Sequence, residues 1–593
     1  MNHASAPAPS ARGPSLIPQT FNGADWGQIE PLVRTLKSRP VRSVADFEQW
    51  LLDRSDLAAA CSEARANLYI ATSCDTEDPV INQAYTRYLE EVAPSLEVAG
   101  FELDNRHVEL SRSFPLNPAR YTVLDRSKRN AVELFRPENV PIQTELAKLS
   151  QDYGKIAGAQ TVAFDGAERT LPQMAQYLLR PDRMVRREAW SAIAERRLRD
   201  RERLDEIFDA MIAKRDAMAR NAGCKDFVDY SFREKERFDY TPAHCRAFWN
   251  AVEEHVVPLV RRLDARRKSE LRVDELRPWD LQVDARGRPG LQPFKGGREL
   301  MNKTLAVMTA LDPRLGAMTR RLAGGAEPAG SDGRSDSLVT EYLDLDSRKG
   351  KRPGGYQYVR DRSRKPFIFM NAAGLQRDVM TMVHEAGHSF HSMLAEEEPL
   401  VEYRHSPIEF AEVASMSMEH LTMPHWGVTG GFHGNAEDLA RARREHIEDS
   451  ISILAWIATI DAFQHWLYEH PAHSRAERDR RWLELDERFG HAVGWAGFET
   501  ARESQWQRQS HLFSHPMYYI EYGIAQLGAL GMWLKGRREG ERAAVDAYIR
   551  ALSLGGSKPL PDLFAAADLS FDFGDGPVAR ITEAVEEELA RLE

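Results

Sequence analysis

The sequence predicts a large, mainly α-helical protein with a small β-sheet just upstream of a histidine-rich helix. Three observations carry that expectation. The chain has 593 residues, several times the usual single-domain length, so more than one lobe is expected. Apolar residues recur every three to four positions over most of it. Strand signals are sparse and fall in two short segments, "SLVTEYLDLD" (337–346) and "KPFIFMN" (365–371).

Residues 1–20 are rich in Ala, Pro and Ser and lack the apolar core of a secretory signal, which reads as a disordered leader. Residues 21–200 form an N-terminal helical lobe, and residues 201–593 carry every motif with chemistry in it. The helical pattern runs across the 200–230 boundary. Its segment from Gln173 closes at Gly223, a helix stop. The segment 241–271 opens with Thr241-Pro242, a cap followed by a first-turn proline. The run 337–346 alternates and carries β-branched residues, whereas 365–371 is a continuous apolar run ending in Ala-Ala-Gly. Dense glycines at 324–333 and 350–355 mark loops.

Composition excludes several function classes. Hydrophobic content of 42% and charged content of 28% are ordinary for a soluble enzyme. A formal charge of −11 argues against nucleic acid as a partner, which needs a basic face. Cys61, Cys74, Cys224 and Cys245 form no tight pair, which fits a reducing compartment, and any zinc must then be held by His and carboxylate. The longest apolar stretch, 522–534, is too short and too broken by glycine to cross a bilayer. A soluble, cytoplasmic protein is expected.

The segment "LQRDVMTMVHEAGHSFHSML" has apolar residues almost all round a helix, so the helix is buried on most sides. His384 and His388, four apart, project from one face at a separation that one zinc ion bridges. Glu385 follows the first ligand and reaches a metal-bound water rather than the metal. Gly387 leaves room for another backbone. His391 lies three residues beyond His388, where a third ligand would point along the helix axis, and the metzincin spacing fails at His391 and Leu394. It reads as a packed core residue.

Downstream, Ser406-Pro407-Ile408-Glu409 reads as a capping box that gives Glu409 a structural task. Glu412 lies three residues deeper among Ala411, Val413, Ala414 and Ser415, where a second helix packs closely, and is the expected third ligand. Glu419, two turns along the same face, is a candidate acceptor that orients a ligating imidazole. Three protein ligands leave a fourth position open, the catalytic arrangement. Two imidazoles and a carboxylate suit zinc.

"HEAGHSFH" followed by "EFAEVASMSMEHL" resembles the thimet oligopeptidase and oligoendopeptidase F family of zinc metallopeptidases. In that family the second helix supplies the third ligand, and Glu412 and Glu419 fall at its two glutamates. "HLFSHPMYYIEYGIAQLGALGMW" resembles the family's His- and Tyr-rich segment facing the zinc. It lacks glycine before Gly523, which places it nearer oligoendopeptidase F. The resemblance covers residue 200 to the end. It implies a two-lobed helical bowl with a deep central channel, one zinc ion per chain, and cleavage of internal bonds in short unstructured peptides. Glu385 is then general base and acid. His511, Tyr519 and Tyr522 are donors to the oxyanion, with Tyr518 and His515 as rivals in register. The resemblance also implies a short strand at the cleft edge that pairs with substrate backbone, expected at Phe367, Ile368, Phe369 and Met370. Two other readings remain: a helical zinc carboxypeptidase, and a catalytically silent binding protein stapled by zinc. An intact Glu385 argues against the staple.

Overall fold

The computed structural model describes residues 16–18, 20–324 and 338–592. Most of the expected leader, residues 1–15 and 19, lies outside the described residues, as does the Gly-rich stretch 325–337. The chain is mainly helical and forms two compact units. One comprises Met1–Glu133, Leu291–Arg443 and Gly528–Phe571; the other comprises Leu134–Gly290, Arg444–Leu527 and Asp572–Glu593. A division at residue 200 therefore does not describe either unit. Helical periodicity shows which residues face inward, but not which helices cluster.

The first unit contains α1 (Val44–Cys74), a 31-residue helix whose Phe47 and Trp50 are fully buried. Five strands occur among the described residues. β1 (Thr161–Phe164) and β2 (Ala167–Thr170) form a hairpin in the second unit, turned by Asp165 and Gly166 at φ 51° and 71°. Asp-Gly tolerates two successive positive φ values, the requirement of a tight hairpin turn.

The first unit's sheet contains β3 (Leu343–Asp346), β4 (Tyr356–Arg360) and β5 (Lys365–Ala372), in the order β3-β5-β4. β5 runs parallel to β3 and antiparallel to β4. It is the middle strand, so its backbone is paired on both sides. The expectation that Phe367, Ile368, Phe369 and Met370 form a substrate-binding edge is corrected here. Their exposures are 4%, 0%, 0% and 2%. Phe367 and Phe369 pack with Ile70 of α1, and β5 also packs against the helix that follows. A continuous apolar run is the pattern of a strand covered on both faces, and β4 is the antiparallel edge.

Helix α2 (Gln376–Leu394) begins where Asp378 Oδ2 accepts the N–H groups of Ala373 and Leu375 at 2.8 and 2.9 Å. Helix α3 (Ile408–Thr422) starts at Ile408 with Pro407 as its cap and no side-chain cap bond. The expected Ser406 capping box is absent: Ser406 Oγ is buried without a partner, and Glu409 is buried at 3% exposure. Proline at the cap position shifts the helix start by one residue, which moves Ser406 out of reach. α2 and α3 cross at Gly387, where a Cβ would lie 2.6 Å from both Ala414 O and Ser415 Cα.

Candidate metal centre

The crossing of α2 on α3 brings three expected ligands together. His384 Nε2 lies 3.3 Å and His388 Nε2 3.6 Å from the same oxygen, Glu412 Oε2. The two imidazole centroids are 4.9 Å apart with planes at 84°, so the rings converge without stacking. A tetrahedral zinc ion with bonds of 2.0–2.2 Å sets neighbouring N and O ligands about 3.3–3.4 Å apart. The observed separations match that spacing. The three ligand atoms could hold one metal ion, and the donor set fits zinc.

The groups behind the ligands hold them in place. His384 Nδ1 donates to Glu419 Oε1 at 2.7 Å, which commits Nε2 to the cluster. His388 hydrogen-bonds to the Ala411 backbone. Ser415 Oγ donates to Glu412 Oε2 at 2.9 Å. The sequence marks Ser415 and Ala411 only as small residues at a close helix crossing, although an i+3 serine beside Glu412 is also a legible hydrogen-bonding signal.

Burial and neighbouring charge set the protonation states. Burial pushes the Glu385 carboxyl up to about 7, with Glu412 adding to the rise and His384 opposing it. Burial holds His388 down at about 4 against the pull of Glu412. Burial opposes the Glu412 charge, yet His384, His388 and Ser415 together draw its pKa down to about 2. Burial likewise opposes charge on His384, and the carboxylates of Glu412 and Glu419 outweigh it, holding its pKa well above the ordinary value. Either a proton or a divalent cation satisfies that junction.

His391 is 5% exposed, sits edge-on to Phe410 at 6.4 Å, and takes no part in the cluster. Glu396 and Glu398, between the helices, pair with Arg321 at 2.8 Å and with Arg120 at 2.5 Å.

The His/Tyr segment lies in the second unit. His511 is its hub, with ring centroids 5.1 Å from Tyr519, 5.9 Å from Tyr518, and 6.0 Å from Tyr522 and from His515. The Gln509 amide nitrogen lies 2.8 Å from His511 Nδ1. An amide nitrogen only donates, so Nδ1 accepts and the ring proton sits on Nε2. Burial and His515 hold the His511 pKa below its ordinary value. Arg215 anchors the segment, donating to Tyr468 Oη at 2.7 Å and to the carbonyls of Leu512 and Phe513 at 2.8 and 2.5 Å. Gln509 and Arg215 carry no motif of their own and were missed in the sequence.

No helix among the described residues is long and apolar enough to cross a membrane. Comparison with known proteins points to one family. Peptidase family M3 matches residues 176–293 and 331–576. The chain is 27% identical over 238 residues to an oligoendopeptidase F homolog of Borreliella burgdorferi, spanning 39% of each protein. It is 25% identical over 358 residues to oligopeptidase PepF of Bacillus subtilis, spanning 58% of this chain and 48% of the relative. The matched regions thus cover less than half of either curated relative. The solved structure of PZ peptidase A with inhibitor 2 superposes with a TM-score of 0.82 at 26% identity, covering 95% of this chain and 96% of that one.

Proposed function

This chain belongs to Peptidase family M3, and from that premise we propose that it is a zinc-dependent oligoendopeptidase cutting internal bonds of short, unstructured peptides. One observation carries the reading: His384, His388 and Glu412 converge on one point beside a buried acid, Glu385, that takes no part in their cluster. A zinc staple needs no such acid.

His384, His388 and Glu412 would hold a zinc ion, which would supply Lewis acidity and a water acidic enough to ionise near neutrality. Glu385 is the residue that would accept a proton from the attacking water and return it to the leaving amine. Its pKa, pushed up to about 7, suits both directions of transfer. Glu419 keeps His384 in the tautomer that presents Nε2 to the metal.

His511, Tyr519 and Tyr522 are assigned as donors to the developing oxyanion, where one such donor contributes about 3 kcal/mol. The Gln509 contact supports His511 in that role, since it leaves Nε2–H to donate. Tyr518 and His515 remain the alternatives within the same cluster. β4 is assigned as the main-chain partner of the substrate, because it ends the sheet and packs against α2. Recognition of main chain predicts broad side-chain tolerance.

A ladder of unstructured peptides, read by mass spectrometry, tests the assignment. Internal cuts, absent on chelation, are the expected products. Stepwise loss of single residues from one end would establish the carboxypeptidase instead.

A further inference from the structure

The second unit contains another convergence of metal-ligating side chains. Cys245 lies on helix Pro242–Ala251, and Asp461 and His465 lie one turn apart on helix Ala436–Glu469. Their thiol, carboxylate and imidazole ligand atoms all fall within 4.8 Å of one another. Exposures of 0%, 0% and 1% seal all three from solvent. An i, i+4 pair on one helix plus a residue from a second helix is also how His384, His388 and Glu412 are arranged.

Several polar atoms here lack a hydrogen bond, and the two His465 ring nitrogens face Asp461 Oδ2 and Glu469 Oε1 only at 3.9 Å each. Neither ring nitrogen of His465 nor Oδ1 of Asp461 has a hydrogen-bond partner, although buried polar atoms are nearly always paired. The groups outside the cluster are nevertheless in place. Trp249 Nε1 donates to Asp461 Oδ2 at 2.8 Å, which leaves Oδ1 to ligate. Glu469 Oε1 stands 3.9 Å from His465 Nδ1, beyond hydrogen-bond distance, whereas Glu419 holds His384 Nδ1 at 2.7 Å. Trp249 and Phe232 wall the imidazole edge-on at 5.0 and 6.1 Å. The buried Arg237 guanidinium, which bears on both acidic groups, is matched by Glu521 at 2.6 Å.

We propose that Cys245, Asp461 and His465 bind a second divalent transition-metal ion, zinc by preference. A thiolate and a carboxylate together cancel the charge of a dication, which burial otherwise forbids. Sulfur and imidazole donors select zinc over magnesium or calcium. The sealed position means that the ion enters as the chain folds, and the site holds the Pro242–Ala251 helix to the Ala436–Glu469 helix. A buried water is the competing occupant. It would satisfy the Asp461 and His465 atoms but gain little from a thiol.

The test counts metal without disturbing the new cluster. Full-length protein and the double variant His384→Ala/His388→Ala are purified with zinc supplied and analysed by plasma mass spectrometry. The double variant is expected to retain one zinc per chain, whatever the fate of the peptidase reading. Replacing that zinc with cobalt is expected to give a near-ultraviolet sulfur-to-metal absorption band, which the donors His384, His388 and Glu412 cannot produce. Cys245→Ser abolishes the band, and Cys224→Ser does not. A double variant free of zinc, or a band that survives Cys245→Ser, overturns the proposal.

Discussion

Ala414 O lies 2.6 Å from the position a Cβ would take on Gly387, so α2 and α3 touch backbone to backbone beside the ligands. Tyr548 Oη donates to the same carbonyl at 2.9 Å, which leaves α3 little freedom to withdraw. Gly387→Ala gains about 1 kcal/mol of helix propensity, yet its methyl meets backbone that no rotamer change can move. Overpacking of this kind costs about 1–3 kcal/mol and shifts Glu412 away from the two histidines. The variant is expected to melt lower and bind zinc more weakly, as measured by thermal unfolding and chelator competition.

Glu419 touches the metal cluster only through His384 Nδ1. Removing such a partner lowers metal affinity about 10–100-fold. Glu419→Ala is expected to fall in that range in zinc competition titrations while keeping its fold, since the side chain is 20% exposed. An unchanged affinity would show that the ring is oriented by other contacts.

Glu385 makes the metal-free protein lose stability as pH rises from acid toward neutrality. Its carboxyl titrates at about 7 in the fold against 4.5 ordinarily, so the folded state keeps the proton longer than the unfolded chain. Stability present below pH 4.5 is therefore lost as pH rises to 7, and the full loss is about 3 kcal/mol at about 1.4 kcal/mol per unit. Glu385→Gln removes that dependence. Urea unfolding of the two metal-free proteins at several pH values should show a gap that widens toward neutral pH.

His391 acts in the opposite direction. Burial holds its pKa at about 3 against 6.5 ordinarily, and its Nε2 is buried without a partner. The unfolded chain takes up the proton first, so stability falls as pH drops below 6.5 toward 3, by about 1.4 kcal/mol per unit. His391→Leu is expected to flatten the acid limb of the unfolding profile and to leave zinc content and peptide cleavage unchanged. Loss of zinc in this variant would make His391 part of the centre.

What was legible in the sequence was geometry that one helix fixes. The i, i+4 pair His384 and His388, the flanking Glu385, and the i, i+7 pair Glu412 and Glu419 follow from helical spacing alone. Gly387 and the small residues around Glu412 announced the close crossing. Relations set by pairing were harder to read. The resemblance implies an edge strand at 367–370, whereas the unbroken apolar run there belongs to a strand covered on both faces, as the central place of β5 shows. Asp165-Gly166 is a legible turn signal for the β1–β2 hairpin, set within a region of mainly helical periodicity. The contacts of Arg215 and Gln509 with the His/Tyr segment, and the interleaving of the two units, depend on long-range packing that no local pattern encodes.

The most direct test of the centre is reconstitution. Protein stripped of metal is titrated with zinc while cleavage of an internally quenched peptide is followed, beside Glu385→Gln. The account predicts that activity rises with occupancy of the His384, His388 and Glu412 site. Glu385→Gln should take up zinc equally well and cleave at least a hundredfold more slowly, about the scale of general acid–base catalysis. Zinc-loaded wild-type protein without cleavage, or a Glu385→Gln variant as fast as wild type, would contradict it.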